Sequence, residues 1–166
     1  MSKIYLIDVT NRDGVQTARL GLSKLAKTMI NLYLNKMGVY QSEFGFPTTR
    51  HESRYLRGNL KLQEMGVLQP IRLGGWIRAT VEDVENTFEL VPAIKDLNLS
   101  ISTSRQMING KFRGTKTEEH ILAMAMEALD AARARGAQSV GINAEDASRT
   151  GTDFLIRFAT AAKEHG

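Results

Sequence analysis

Asp8-Val9-Thr10-Asn11-Arg12-Asp13-Gly14-Val15-Gln16 follows directly on the apolar run Ile4-Tyr5-Leu6-Ile7. An apolar strand that gives way to a polar, glycine-containing loop, with a helical pattern beyond it, is the first unit of an alternating β/α protein. The loop places a cation, a carboxylate and an amide (Arg12, Asp13 and Gln16) within five residues. Barrel and open-sheet enzymes keep their chemistry at the carboxyl ends of strands, which is where this loop falls.

Outward from that loop the same unit recurs. Apolar runs predict strands over residues 4–9, 39–43, 71–77, 99–102 and 139–144. Helical patterns lie between them. One starts at Ser23 as N-cap and closes at Gly38; the next runs from Thr49 to Gly66. A third starts at Thr80 and continues to about residue 96, with Pro92 placed to kink or break it. The strongest runs from Thr117 to Gly136, and the last is capped by Thr152 or Asp153 and carries Phe154, Leu155, Phe158 and Ala161 on one face. Residues 104–116, polar and containing Gly110 and Gly114, read as a loop. The adjacent Gly74 and Gly75 inside the third strand indicate close packing or a bulge. The resulting βαβαβαβαβα order predicts a parallel sheet with right-handed crossovers. Two architectures satisfy it: a flavodoxin-like open sheet, or five-eighths of a TIM barrel, whose full (β/α)8 form takes about 250 residues.

Bulk properties narrow the function classes. The 166 residues are the size of one domain, taken as 1–166, with 42% hydrophobic and 24% charged residues. The formal charge of +4 comes from dispersed Lys and Arg with few aromatics among them, which argues against a nucleic-acid face. The absence of cysteine removes disulfides, thiolate metal sites and a thiol nucleophile. No apolar run approaches the roughly 18 residues of a membrane span, and no signal-peptide pattern opens the chain, so a cytoplasmic protein is expected.

Polar residues collect at the end of every predicted strand: Arg12, Asp13 and Gln16; Glu43; Arg78; Ser102, Thr103 and Ser104; Asn143, Glu145, Asp146 and Arg149. Hard oxygen ligands suit a divalent cation, and arginine suits a carboxylate or a developing enolate oxygen. Each residue also has a plainer reading. Arg12 and Asp13 can be an ion-paired loop, Glu43 a solvated acid or capping group, and Arg78 a partner of Glu82. Glu145 and Asp146 can cap the last helix. His51, His120 and His165 lack metal-ligand spacing and read as surface residues, and Trp76 and the methionines read as core. The coincidence of polar ends on every strand favours a site.

Three stretches carry a family resemblance. Residues 8–16 resemble the Asp-Thr-Thr-Leu-Arg-Asp-Gly-Glu-Gln signature of the acyl-CoA-dependent 2-isopropylmalate, homocitrate and citramalate synthases. These belong to the metallolyase TIM-barrel superfamily that includes hydroxymethylglutaryl-CoA lyase. Ser42-Glu43-Phe44-Gly45-Phe46-Pro47 resembles the second-strand Glu-x-Gly-Phe-Pro of that family, and Ala144-Glu145-Asp146-Ala147-Ser148-Arg149-Thr150 its fifth-strand motif. The resemblance implies a pyruvate-carboxyltransferase-like barrel that condenses acetyl-CoA with an α-keto acid, aided by Mg²⁺, Mn²⁺ or Zn²⁺, in amino-acid biosynthesis. It implies Asp13 as a metal ligand, Arg12 on enolate or carbonyl oxygen charge, and Glu43 positioning the metal-water or substrate network. Glu145 would line the substrate pocket, with Gln16, Arg78 and Arg149 binding substrate. Pyruvate, 2-oxoisovalerate and 2-oxoglutarate stay open as the keto acid, with the homocitrate/isopropylmalate group favoured.

The chain departs from the family at Val9, Asn11 and Val15, positions without an assigned chemical role. The larger departure is a missing His-x-His pair, which the family carries on its seventh strand and this chain contains nowhere. A segment with strands one to five only leaves open edges, so a C-terminal barrel half or a complementary chain is expected as a partner, the completed protein being a homo-oligomer. By itself the chain is expected to be inactive. The competing readings are a non-catalytic half-barrel partner subunit and a small anion-binding α/β domain; the latter lacks a Gly-x-Gly-x-x-Gly or phosphate-loop pattern.

Overall fold

The computed structural model describes residues 4–165; residues 1–3 and 166, the ends of the expected 1–166 domain, lie outside the described residues. The elements run β1 (Ile7–Asp8), α1 (Lys24–Lys36), β2 (Gln41–Gly45), α2 (Arg50–Glu64), β3 (Arg72–Arg78), α3 (Val81–Leu90), β4 (Asp96–Ser102), α4 (Arg105–Phe112), α5 (Glu118–Ala134), β5 (Ser139–Glu145) and α6 (Thr152–Glu164). The strands form one sheet in the order β1-β2-β3-β4-β5, and β1, β2 and β3 pair in parallel. Sequential order separates the two architectures left open by the sequence. A flavodoxin-like sheet reverses direction after its first unit to give the order 2-1-3-4-5, whereas a barrel adds every strand on the same side. The fold is the first five βα units of a TIM barrel.

The chain divides into two compact units, Met1–Trp76 with Asn86–Leu97, and Ile77–Glu85 with Asn98–Gly166. In the first unit, Ser23 caps α1 by accepting from the Ala26 N–H, and Thr49 caps α2 by accepting from Glu52 N–H. Gly38 follows α1 at φ +76°, a backbone conformation that a side chain disfavours. Phe44, Leu56, Leu68, Ile71, Leu73 and Leu97 are among the buried apolar residues of this unit, each contributing about 1.5–3 kcal/mol. Packing is close at Gly75. A Cβ there would lie 2.7 Å from Ile94 Cδ1 and 3.0 Å from Pro47 Cγ. Beside it the register slips, Glu43 facing Gly74 and Gly45 facing Gly75, which leaves Phe44 as a bulge residue. The glycine pair therefore marks both close packing and a bulge.

In the second unit α5 is fixed by a capping box in which Thr117 and His120 bond each other's backbone N–H, with Glu118 and Glu119 in the dipole-favoured first turn. Its face of Ile121, Ala125, Ala128, Leu129 and Ala132 is buried, as are Phe154 and Phe158 of α6, whose rings pack edge to face.

Several expectations are corrected. The first strand is two residues long instead of residues 4–9, and Ile4 to Ile7 remain exposed, because β1 stands at the end of the strand order with β2 as its one neighbour. The third helix stops at Leu90, two residues before Pro92, since proline lacks the N–H and biases residue 91 away from helix. The fourth strand consequently begins at Asp96. Residues 105–112, expected as loop, form α4: Ser104 caps it through Met107 N–H, Ile108 is buried, and Arg113 ends it at φ +50°. The last helix has Gly151 at its N-cap, without a side-chain capping bond, instead of Thr152 or Asp153.

Candidate functional site

The first unit carries Arg12, Asp13, Gln16 and Glu43. The loop after β1 is drawn in on one carbonyl. Val9 O accepts from the N–H groups of Arg12, Asp13 and Gly14 at 2.8–3.2 Å, and a single 3₁₀ turn, Gly14–Gln16, follows. This winding turns the Arg12 side chain inward and the Asp13 carboxylate outward, at 15% and 62% exposure. Arg12 Nη1 donates to Asp13 Oδ1 at 2.6 Å, and the guanidinium carbon lies over Trp76, 3.6 Å from the ring centroid. Arg12 Nε is buried with no hydrogen-bond partner. Gln16 is exposed at the end of the turn, and Glu43 is buried on β2.

Beneath this loop lies a buried polar network. Asn11 Nδ2 donates to Asn31 Oδ1 at 2.8 Å and to the Lys27 carbonyl at 2.9 Å. Asn31 Oδ1 also accepts from Ser42 Oγ, and its Nδ2 donates to the Tyr55 hydroxyl and Asn59 Oδ1. Asn59 Nδ2 reaches Thr28 Oγ1 and the Tyr55 carbonyl. Burial pushes the Tyr55 hydroxyl well above the ordinary phenol range. Lys27 pairs with both oxygens of Glu52 at 2.9–3.1 Å. Asn31 thus satisfies four partners at the centre of the unit, and this rigid base holds the loop that presents Arg12 and Asp13.

The second unit carries Arg78, Glu145 and Arg149. Arg78 forms a bidentate pair with Asp83, Nε–Oδ2 2.7 Å and Nη2–Oδ1 2.6 Å; the guanidinium is 63% exposed and the carboxylate 1%. The partner is Asp83, not the Glu82 expected from sequence. Glu145 Oε2 accepts from Ser102 Oγ at 2.6 Å and Lys111 Nζ at 2.7 Å. Asp146, at φ +64°, accepts from Ser104 Oγ and from Arg149 Nε at 2.8 and 2.9 Å. Arg149, then Ser104, hold the Asp146 carboxyl below the usual carboxylate range. Here too the arginine faces outward, Arg149 being 54% exposed and Asp146 16%. Neither Glu145 nor Asp146 caps α6.

The residues fit a divalent cation in one respect only. Asp13 offers an outward hard oxygen donor, but no three His, Cys, Asp or Glu side chains cluster around a metal-sized position among the described residues. His120 is spent on the capping box, His165 bonds Asp130 at 2.8 Å, and His51 is exposed.

Sequence reasoning missed three contributors. Asn11 was set aside as a departure from the motif, yet it anchors the loop; a buried asparagine leaves no sequence signal distinct from a turn asparagine. Trp76, read as core, is half-buried and is the platform for Arg12, with Phe46 edge-on to it at 5.6 Å. Lys111 was assigned to a loop; once residues 105–112 are read as helix, it comes into reach of Glu145.

The HMGL-like family model matches residues 3–166. The chain is 62% identical over all its 166 residues to a citrate (Re)-synthase of Dehalococcoides mccartyi, and 36% identical over 98% of its length to 2-isopropylmalate synthase 2 of Caldanaerobacter subterraneus. It spans 40% of the length of each. Among solved structures, an HMG-CoA lyase from Acinetobacter baumannii, in complex with coenzyme A and 3-methylmalate, superimposes with a TM-score of 0.66 at 17% identity, covering 98% of this chain and 53% of that one, which supports the barrel fold alone. No helix among the described residues is long and apolar enough to cross a membrane. With the family model matching from residue 3 to residue 166 and the strand order of a barrel, this chain belongs to the HMGL-like family.

Proposed function

We propose that the chain is the part of a Claisen-condensing synthase that binds and activates the keto acid, and that the acceptor is oxaloacetate, condensed with acetyl-CoA to give citrate. The observation that carries this reading is the 62% identity to a citrate (Re)-synthase, unbroken over the whole chain. It is weighed above the homocitrate/isopropylmalate group that overall similarity to the family favours. Citrate is oxaloacetate plus an acetyl unit, so the acceptor is a dicarboxylate. Arg78 and Arg149, both outward-facing, each keep Nη1 outside their ion pairs, which suits the binding of carboxylates.

In this reading Arg12 stabilises negative charge on the acetyl-CoA enolate or the keto oxygen. A base takes a proton from the acetyl methyl group. The enolate carbon forms a bond to the keto carbon, the carbonyl electron pair becomes an alkoxide that is protonated, and water then cleaves the thioester to release the CoA thiol. Glu43 and Glu145 orient the acceptor and its water, and Gln16 lies beside it. A divalent ion (Mg²⁺, Mn²⁺ or Zn²⁺) would polarise the keto carbonyl when bound. Asp13 would supply one donor to it, the rest coming from residues outside this chain, in a completing barrel half or a complementary chain.

The test uses the intact protein that contains this chain, supplied with acetyl-CoA and divalent metal, with thiol release followed for oxaloacetate, pyruvate, 2-oxoisovalerate and 2-oxoglutarate. Oxaloacetate should give the highest kcat/KM. A preference for another acid overturns the substrate; no release with any of them overturns the synthase reading. Asp13→Asn should lower kcat/KM by at least about 100-fold, and unchanged turnover would remove Asp13 from the site.

A further inference from the structure

We infer that Trp76 is a positioning residue for Arg12: its indole face, buttressed by Phe46, holds the guanidinium in the one orientation that serves the reaction. This rests on the proposed role of Arg12 in the condensation.

Arg12 is mostly buried, yet among the described residues its only hydrogen bond to a neighbouring side chain is from Nη1 to the exposed Asp13. Its Nε is buried without an acceptor. A single bond to a solvent-exposed carboxylate does not fix a guanidinium, because the side chain retains rotation about its long stem. What faces the group is the indole, 3.6 Å from the guanidinium carbon to the ring centroid. A flat cation over a flat π face is attracted by the ring quadrupole, and most strongly where water is excluded. Stacking fixes the guanidinium plane and leaves its in-plane N–H groups free to donate, whereas a carboxylate in the same place would occupy them.

The indole is itself held. Phe46 packs edge-on at 5.6 Å. Pro47 and Ile94 close on the neighbouring Gly75, where a Cβ would lie 3.0 and 2.7 Å from them, so the β3 backbone next to Trp76 is closely packed. The Gly-Phe-Pro stretch after β2 thus acts on Arg12 through Trp76. An aliphatic residue at position 76 would fill the volume but offer no π face.

The test uses the intact protein and the variants Trp76→Phe, Trp76→Leu, Arg12→Gln and the Trp76→Leu/Arg12→Gln double variant. Trp76→Phe should keep kcat within about threefold. Trp76→Leu should lower kcat by about tenfold or more, with acceptor KM and Tm little changed, because orientation is lost and not binding or folding. In the Arg12→Gln background Trp76→Leu should have no further effect. An equal kcat loss in both backgrounds, or a loss that follows Tm, overturns the inference. A readout independent of turnover separates the two proposals. In protein labelled with ¹⁵N-arginine, the Arg12 Nε–H, assigned by its absence in Arg12→Gln, should be shifted upfield by the indole and exchange slowly. It should stay so in Trp76→Phe and lose both properties in Trp76→Leu. If that holds while Arg12→Gln keeps full activity, Trp76 positions Arg12 and the catalytic role of Arg12 fails. If the resonance is indifferent to Trp76→Leu, positioning fails whatever the activity.

Discussion

At Arg12–Asp13 in the first unit the arginine is inside and the carboxylate outside; at Arg78–Asp83 and Arg149–Asp146 in the second, the carboxylates are inside and the guanidiniums outside. Arg12 is stacked on Trp76 while Asp13 faces solvent, and Arg78 and Arg149 face solvent while Asp83 and Asp146 are covered. The residue types are the same, an arginine paired with an aspartate. The buried member of each pair decides which charge the surface offers. Burying a charge requires compensation by partners, and the compensation differs. Arg12 receives an aromatic face and Asp83 three N–H donors, two from the Arg78 guanidinium and one from its backbone. The Arg12–Asp13 pair consequently presents an oxygen donor, and the Arg78–Asp83 and Arg149–Asp146 pairs present cations.

The contrast also concerns support. The presenting loop of the first unit rests on a largely buried network, so breaking that network should cost stability. Asn31→Leu would strand Asn11, Ser42, Tyr55 and Asn59 without their shared partner. Leaving buried polar groups unsatisfied costs about 1–3 kcal/mol each, and a total loss of about 3–5 kcal/mol is expected from chemical denaturation of the intact protein. A loss below about 1 kcal/mol would mean the network is not what holds this unit.

Gly75→Ala probes the platform in place of the base. Its Cβ would press on Ile94 and Pro47, and overpacking of this kind costs about 1–3 kcal/mol. Thermal unfolding should record the drop; an unchanged midpoint would show that the β2–β3 contact is looser than its geometry indicates.

The smallest effect is expected at the Arg149–Asp146 pair of the second unit, whose guanidinium faces solvent. Asp146 titrates below the usual carboxylate range because of Arg149 and Ser104. Its native pKa is depressed, so its contribution to stability is complete above the unfolded value of about 4 and is lost as pH falls through the depressed native value. Arg149→Gln should raise the Asp146 pKa towards ordinary, read by NMR titration of the carboxyl, and weaken stability only on the acid side. A neutral-pH stability loss comparable to that of Asn31→Leu would erase the distinction between the two units.

Much of the fold was legible along the chain. Ser23, Thr49 and Thr117, where the sequence predicts helix starts, each cap their helix, because an N-cap is a local hydrogen bond between residues two or three apart. Gly74 and Gly75 announced a tight place. The errors arose where a local signal competed with tertiary contact. The sequence predicts a loop at α4 because two glycines and polar residues mask the helix signal of Ser104 and the single buried Ile108. β1 was read too long because an apolar run looks the same whether or not a second neighbour pairs with it.

Sequence alone determined the alternation of strands and helices, the location of Arg12, Asp13, Glu43, Glu145 and Arg149 at strand ends, and the family to which their motifs point, since all of these depend on residue type at short spacing. Tertiary structure alone decided the sequential strand order, the inward turn of Arg12 onto Trp76, the choice of Asp83 as the partner of Arg78, and the network around Asn31. Those depend on which residues far apart in the chain share a volume without water, and there burial, not residue type, sets whether a charge is held or offered.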